Sequence, residues 1–306
     1  MKMLVTGGAG FIGSYVTDKL IERGNEVIIL DNLSTGSIEN VNKKAIFIEG
    51  DISKMSDVEM IFSRYKIDMV FHLAAQIDVR ISTENPQRDA KTNIIGTINI
   101  LDTIKKYNTK KIIFSSTGGA LYGEVDKPAD EDYDKNPEAP YGISKFSAEM
   151  YIKFYSENYG LNYTILRYAN VYGPRQSTKG EAGVVAIFAN NMKHNKESIL
   201  FGFGEMYRDY VYVLDVAKTN VLSVDRGDRE IYNVGTGVRT SVSEIFNALN
   251  LHFINYTIAP KLLEKRKGEI QSNVVSPKKI IKDYKISFTP LEEGIKKTVE
   301  FFKEKE

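Results

Sequence analysis

Tyr141 and Lys145 stand four residues apart in the run Pro-Tyr-Gly-Ile-Ser-Lys. On a helix that spacing puts both side chains on one face. A phenol ordinarily ionises near pH 10, about three units too high for a base at neutrality, but a neighbouring ammonium favours the phenolate. The pair could therefore take a proton from an alcohol or a sugar hydroxyl. Spacing alone does not single it out: the chain holds 18 tyrosines, and Tyr15/Lys19 and Tyr107/Lys111 repeat the interval. Only Tyr141/Lys145 follows a strand that ends in hydroxyl residues, Ser115-Ser116-Thr117. Thr117, or Ser116 beside it, could hydrogen-bond the reacting oxygen.

The elements that would position this pair begin at the amino terminus. Met3 to Thr6 is an apolar run long enough for one buried strand. Gly7, Gly10 and Gly13 follow, and Phe11, Ile12, Val16 and Leu20 then recur with helical periodicity. Strand, glycine turn and helix form a site for a pyrophosphate: Gly7 makes the turn, Gly10 lets the backbone approach, and Gly13 allows close packing of helix and sheet. Glu26 to Leu30 is the next strand, and Asp31 closes it, at the place where a carboxylate accepts both adenosine ribose hydroxyls. A 2′-phosphate would be repelled there, so the expected cofactor is NAD rather than NADP. An oxidised nicotinamide would add a second positive charge favouring the Tyr141 phenolate.

Strands at Ala45 to Ile48, Asp68 to His72, Lys110 to Phe114 and Tyr163 to Arg167 alternate with helical stretches. This pattern predicts an α/β fold, a doubly wound parallel sheet of Rossmann type, with ligand at the carboxyl ends of the strands. Asp51, just past the third strand, could bind the adenine or cap the helix starting near Lys54. Leu73-Ala74-Ala75, after the fourth, suits close approach to a ligand, and His72 reads as structural. A long helix is expected from Asn85-Pro86 through Lys106, with Asn93 on its apolar side holding a backbone group near the site. Beyond Tyr168 the alternation weakens. A helix over Ala182 to Met192, strands at Asp209 to Val213 and Ile231 to Val234, and short helices at Ser243 to Leu249, Pro277 to Ile281 and Leu291 to Phe302 predict a smaller α/β substrate-binding domain. The division places the cofactor domain at residues 1–168, with a segment near 209–235 returning to it, and the rest at 169–306.

Composition narrows the function. With 42% hydrophobic and 26% charged residues and a net charge of +1, the 306-residue chain has no field to draw nucleic acid or an anionic membrane. It has no cysteine and only three histidines, none in metal-ligand spacing, so thiol chemistry is excluded and no metal is expected. No run reaches the roughly 18 apolar residues of a membrane span, and the expected location is the cytoplasm.

Taken together, Thr6-Gly-Gly-Ala-Gly-Phe-Ile-Gly13, Asp31-Asn-Leu, Gly50-Asp51, His72-Leu-Ala-Ala75, Phe114-Ser-Ser-Thr117, Tyr141-Gly-Ile-Ser-Lys145 and Arg167-Tyr-Ala-Asn-Val-Tyr-Gly-Pro-Arg175 resemble the extended short-chain dehydrogenase/reductases, specifically the nucleotide-sugar epimerases and dehydratases. The resemblance implies 4-epimerisation of a UDP-sugar, UDP-glucose to UDP-galactose, through a transient 4-keto sugar with tightly bound NAD. It implies that Tyr141 is the base, Lys145 contacts the nicotinamide ribose and Thr117 orients the sugar oxygen. It implies cofactor contacts from Gly7, Gly10, Phe11, Ile12, Gly13, Asp31, Asn32, Asp51, Ile52, Leu73, Ala74, Ala75, Asn93, Ser115, Tyr141, Lys145 and Tyr168. Substrate contacts carry over to Asn170, to Arg208 in Phe201-Gly-Phe-Gly-Glu-Met-Tyr-Arg, and to Arg266 and Glu269 in Arg-Lys-Gly-Glu; two guanidiniums suit a pyrophosphate. A homodimer through the helices carrying Asn93 and Tyr141 is also implied.

Two departures refine this. Dehydratases of the family place an Asp-Glu pair after the hydroxyl residue, and decarboxylases a Glu nearby; here Gly118-Gly119 follow Thr117, and neither can transfer a proton. Where glucose-restricted epimerases place a large Tyr after the Arg-x-Gly-acid segment, this chain reads Ser272-Asn273, which predicts room for N-acetylated sugars. The competing readings are a reductase, dehydratase or UDP-glucuronate epimerase of the same fold, and a non-catalytic dinucleotide-binding regulator.

Overall fold

The computed structural model describes residues 1–178, 183–266 and 269–304. Strands β1 (Lys2–Thr6), β2 (Glu26–Asp31), β3 (Ile46–Glu49), β4 (Met69–His72), β5 (Lys111–Thr117) and β6 (Asn162–Tyr168) join an edge strand, Glu230–Val234, in one seven-stranded sheet. Its order is edge strand, β6, β5, β4, β1, β2, β3, and every adjacent pair is parallel. The winding reverses between β1 and β4, which opens a crevice at the carboxyl ends of those strands. Thr6 sits opposite His72 in that register, and Thr117 opposite Tyr168. The doubly wound parallel sheet is thus as the alternation of elements predicts.

Period-two alternation divides each central strand between two cores. Met3, Val5, Val27, Ile29 and Phe71 pack on one face with Val16 and Leu20 of the Phe11–Glu22 helix. Leu4, Ile28, Leu30, Val70 and Phe114 pack on the other, with Ile100 and Ile104 of the Gly96–Tyr107 helix and Ile152 of the Pro140–Tyr159 helix. Apolar runs without polar interruption are what a sheet buried on both faces requires.

The glycine turn is built closely. Gly7 has a φ of +73°, and a Cβ there would lie 2.7 Å from the Ala74 nitrogen. A Cβ on Gly13 would lie 2.1 Å from the Gly7 carbonyl oxygen. The tight contact at Gly13 is therefore between the helix and the glycine loop itself, rather than between helix and sheet.

The helix expected from Asn85 to Lys106 is interrupted. Pro86–Ala90 is α-helical, Lys91–Ile95 forms a π turn, and Gly96–Tyr107 resumes the α form. Asn85 caps the start, its side chain accepting the Arg88 N–H. The π turn carries Asn93.

After Tyr168 the chain leaves the central sheet until Glu230. Asn170–Tyr172 pairs in parallel with Tyr210–Tyr212, and Tyr207–Arg208 lies between Thr240–Ser241 and Ser272–Asn273. The expected single strand from Asp209 to Val213 is instead two short ones flanking Asp209. The backbone changes partners at Asp209, whose N–H donates to the Asn273 carbonyl while its carbonyl accepts the Asn170 N–H; its buried carboxylate accepts the Thr236 and Gly237 N–H groups. A third core lies under the helices Val184–Lys193, Val242–Asn250 and Leu291–Glu304. The expected helix start at Ala182 falls outside the described residues. Among the described residues no helix is long and apolar enough to cross a membrane.

Gly13→Ala tests the tight turn. With the Gly7 carbonyl unable to retreat, overpacking should cost about 3 kcal/mol, read as a lowered midpoint in denaturant unfolding. A midpoint equal to wild type would show that the loop yields freely.

Candidate active site

Thr117 ends β5, and its backbone turns immediately. The Gly118 and Gly119 N–H groups both donate to the Tyr168 carbonyl, at 2.7 and 3.3 Å, so the end of β5 is tied to that of β6. The Thr117 hydroxyl accepts the Ala120 N–H at 3.1 Å. The Pro140–Tyr159 helix follows, with Pro140 in its first turn, where a missing N–H costs nothing. Tyr141, Lys145 and Glu149 fall one turn apart on the side facing β5. The Lys145 ammonium lies 4.2 Å from the centre of the Phe114 ring. It is 3% exposed and has no hydrogen-bond partner among the described residues.

Thr117 faces the Tyr141 phenol, and Ser116 does not. Alternation along β5 turns Ser116 beneath the helix, where its hydroxyl donates to Glu149 Oε1 at 2.5 Å. Glu149 is fully buried and takes both Nε and Nη2 of the buried Arg167, at 3.0 and 2.7 Å. The choice left open between the two hydroxyls thus resolves to Thr117 on geometry.

Burial dominates the ionisation of the pair. It pushes the Tyr141 phenol up to about 12; the Thr117 hydroxyl works against this and the Asp89 charge with it. Burial also lowers Lys145 to about 7, opposed by Glu149 and Asp89. Burial thus raises the phenol and weakens the ammonium together, and the expectation that favours the phenolate counts the charge of an oxidised nicotinamide beside that of Lys145.

A chain of neutral hydrogen bonds holds the helices to the sheet. The Thr97 hydroxyl donates to the Asn93 carbonyl at 2.6 Å, so it must accept from His72 Nε2, 3.1 Å away. His72 Nδ1 then accepts from the Thr6 hydroxyl at 2.7 Å, and that hydroxyl accepts the Ala74 N–H. His72 is structural, as read from the sequence. The Asn93 side chain accepts the Gln76 N–H and reaches the Gln76 carbonyl, Asp89 Oδ1 and Ser144 Oγ. Ser144 Oγ in turn donates to the Tyr141 carbonyl at 3.0 Å. The buried amide does hold backbone beside the site, and it reaches the Tyr141 helix as well.

The β1–β2 side fits a dinucleotide. Gly10 is the cap residue of the Phe11–Glu22 helix and offers no side chain to its free N–H groups, and a Cβ there would meet only the Gly7 carbonyl oxygen within 4 Å. The space over the helix start is thus open to an anion. Asp31, 8% exposed, accepts the Ala9 N–H on Oδ2 and the Leu33 N–H on Oδ1. It ties the glycine loop to the β2 turn, and each oxygen keeps a lone pair for a hydroxyl. An open cleft of about 300 Å³ lies beside it, lined by Asn32, Glu49, Gly50, Asp51, Lys54 and Asp57. Asp51 accepts the Ser53 N–H; the next helix starts at Met55 with Lys54 as its cap, so the helix-capping alternative for Asp51 is set aside. Asn32 caps its own turn through Ser34, whereas Ile52 is buried in the core with its carbonyl held by Asn99. Leu73 donates its N–H to the Thr6 carbonyl, and Ala75 is half-buried beside it. Phe11 and Ile12 lean on the third core. The Tyr168 hydroxyl, which burial raises, bonds Asn220, with Ser115 adjacent.

Comparison with known proteins agrees with this geometry. Residues 3–235 match the model of the NAD dependent epimerase/dehydratase family. The chain belongs to that family. Its members' cofactor, NAD, is the one Asp31 predicts. A UDP-glucose 4-epimerase from Thermotoga maritima, solved with UDP-glucose, is 50% identical, with 99% of this chain and 98% of that one covered and a TM-score of 0.96. A UDP-glucose 4-epimerase from Thermus thermophilus, solved with NAD, is 40% identical over 99% of both chains, with a TM-score of 0.94. A UDP-N-acetylglucosamine 4-epimerase from Methanobrevibacter ruminantium is 36% identical, covering 98% of this chain and 97% of that one, with a TM-score of 0.91.

In this family member the remaining predicted residues lie on the loops and short strands that follow Tyr168. Asn170 Oδ1 is 3.0 Å from where a Cβ on Gly119 would stand, with Thr117 Oγ1 at 3.8 Å. Arg208 is turned onto backbone carbonyls, donating to Ile270 at 2.8 Å and Tyr207 at 2.8 Å. Arg266 stacks over Phe201, its guanidinium carbon 3.7 Å from the ring centre, and Glu269 Oε2 accepts its backbone N–H. Ser272 and Asn273 are buried beside Arg239 and Gly123. Sequence reading missed Asp89, Ser144 and Glu149. A periodicity signal existed for two of them: Asp89 precedes Asn93 by one turn, and Glu149 follows Lys145 by one.

Burial, with a smaller contribution from the Lys145 charge, lowers His72 from near 6.5 to about 3. Its neutral form therefore contributes stability that is complete above about pH 6.5 and lost as pH falls toward 3, where the unfolded chain binds the extra proton. His72→Gln should flatten that acid limb of the stability–pH curve, measured by denaturant unfolding across the window; an unchanged slope would refute it.

Proposed function

We propose that the protein is a UDP-glucose 4-epimerase that interconverts UDP-glucose and UDP-galactose and also accepts N-acetylated UDP-sugars. The observation that carries this reading is the convergence of Thr117, Tyr141 and the buried Lys145 at the end of β5, above a Gly118-Gly119 backbone with no acid or base.

Gly7, Gly10, Gly13 and the free N–H groups of the first helix would hold the NAD pyrophosphate, Asp31 the adenosine ribose, and Lys145 the nicotinamide ribose. Bound nicotinamide supplies a hydride acceptor and donor and a positive charge. That charge, with protonated Lys145, brings the Tyr141 phenol down from about 12 toward working pH. Tyr141 would take the proton of the sugar 4-hydroxyl while Thr117 orients the oxygen, and with the C4 hydride passed to the nicotinamide that residues of this site would hold, the product would be a 4-keto sugar. The sugar turns, and Tyr141 returns the proton once hydride is back on the opposite face. Asn170, Arg208, Arg266 and Glu269 retain the nucleotide meanwhile. The relatives that carry this chemistry by name, at 50% and 40% identity over nearly the whole chain, support the reading.

Acceptance of N-acetylated sugars rests on Ser272 and Asn273 and on the likeness to an N-acetylglucosamine enzyme. We assign residues 1–168, with the returning segment, to the cofactor and the remainder to the nucleotide-sugar. A homodimer is supported by Ile95, Ile143, Met150, Tyr151 and Phe154, which leave apolar surface exposed on two neighbouring helices.

Tyr141→Phe should lower kcat by about a thousandfold, within the range for loss of a positioned base, while NAD stays bound. Near wild-type turnover would defeat the mechanism. Incubated without added NAD, wild-type protein should interconvert UDP-glucose with UDP-galactose and, separately, their N-acetylated forms, as resolved by chromatography. A need for stoichiometric cofactor would favour a reductase, and background turnover of the N-acetylated pair would remove the wider specificity.

A further inference from the structure

Glu124 lies on the surface a short run of backbone beyond Thr117, yet both its carboxylate oxygens are engaged. Oε2 accepts the Gln271 N–H at 2.7 Å, and Oε1 accepts the Ser272 N–H at 2.6 Å. Charge-assisted bonds to two adjacent amides fix a loop more firmly than neutral ones. The neighbours add to the tie: the Val125 N–H donates to the Ser272 carbonyl at 3.1 Å, and Asn273 Nδ2 donates to the Gly123 carbonyl at 3.0 Å. The same segment is gripped from its other side by Arg208, at the Ile270 carbonyl. It follows directly on Glu269. The residues that would hold the nucleotide are thus lashed to the strap that leads back to Thr117, and Glu124 is the charged group on the strap's side of that lashing.

An epimerase must keep the nucleotide half still while the sugar half turns over. We propose that Glu124 is a positioning residue that holds the nucleotide clamp in register with Thr117, so that the ketone is retained through its reorientation. The proposal rests on the epimerase reading above. If the clamp loosens after the sugar C4 has given its hydride to nicotinamide and its hydroxyl proton to Tyr141, the ketone leaves and the protein keeps the reduced nicotinamide. A surface carboxylate that merely tidied a turn would produce no such leak.

Glu124→Gln tests this in the NAD-loaded protein, since an amide can accept from one N–H but opposes the other with its own hydrogens. Amide exchange at Gln271 and Ser272 should speed up, and UDP affinity by calorimetry should fall about tenfold, the scale of one charge-assisted bond. KM for UDP-glucose should rise in parallel. The near-ultraviolet absorbance of reduced nicotinamide should grow during turnover, while NAD content and melting midpoint stay at wild-type values. Unchanged UDP affinity, or affinity lost with no build-up of reduced nicotinamide, would overturn the proposal. If wild-type protein fails to interconvert UDP-sugars, the epimerase reading itself falls; wild-type exchange at the two amides in the variant would sink only the role given to Glu124.

Discussion

The Asn93 side chain, buried where β4 and two helices meet, sets where Tyr141 can stand. Its amide nitrogen reaches the Gln76 carbonyl, Asp89 and Ser144, and its oxygen takes the Gln76 N–H. A buried amide left unpaired would cost about 1–3 kcal/mol for each lost partner, so the loop after β4, the Pro86–Ala90 helix and the Pro140–Tyr159 helix are held to one mutual arrangement. The π turn over Lys91–Ile95 carries that amide and joins the two α-helical stretches without a break between them.

The charges of the site are balanced differently from what chain order suggests. Tyr141 and Lys145 lie together, but each loses hydration in doing so, and for both the desolvated form is the neutral one. Asp89 and Glu149 restore part of the Lys145 charge, and Glu149 is itself neutralised by Arg167. Burial therefore favours the neutral form of both members of the pair.

Much of the fold was legible because parallel strands buried on both faces read as apolar runs with glycine, small or hydroxyl residues at their ends. Met3 to Thr6 and the run to Thr117 are such cases. The glycine spacing and Asp31 pointed to the crevice at the ends of β1 and β2 for the same reason: the turn and the carboxylate that closes the next strand are local features. What could not be read was long-range. That Ser116 turns to Glu149 while Thr117 faces Tyr141 follows from strand phase against a helix thirty or so residues on. That Arg208 rests on the Ile270 carbonyl depends on a two-residue pairing with Ser272–Asn273, too short to leave a periodicity. The change of partner at Asp209, from the Asn273 carbonyl to the Asn170 N–H, likewise joins residues far apart in the chain.

Gly119 has a consequence for shape as well as for proton chemistry. Any side chain there would project between the Thr117 hydroxyl and the Asn170 amide. With hydrogen in its place, the two polar groups face one another across bare main chain, so the width left between them is set by Thr117 and Asn170 and not by residue 119.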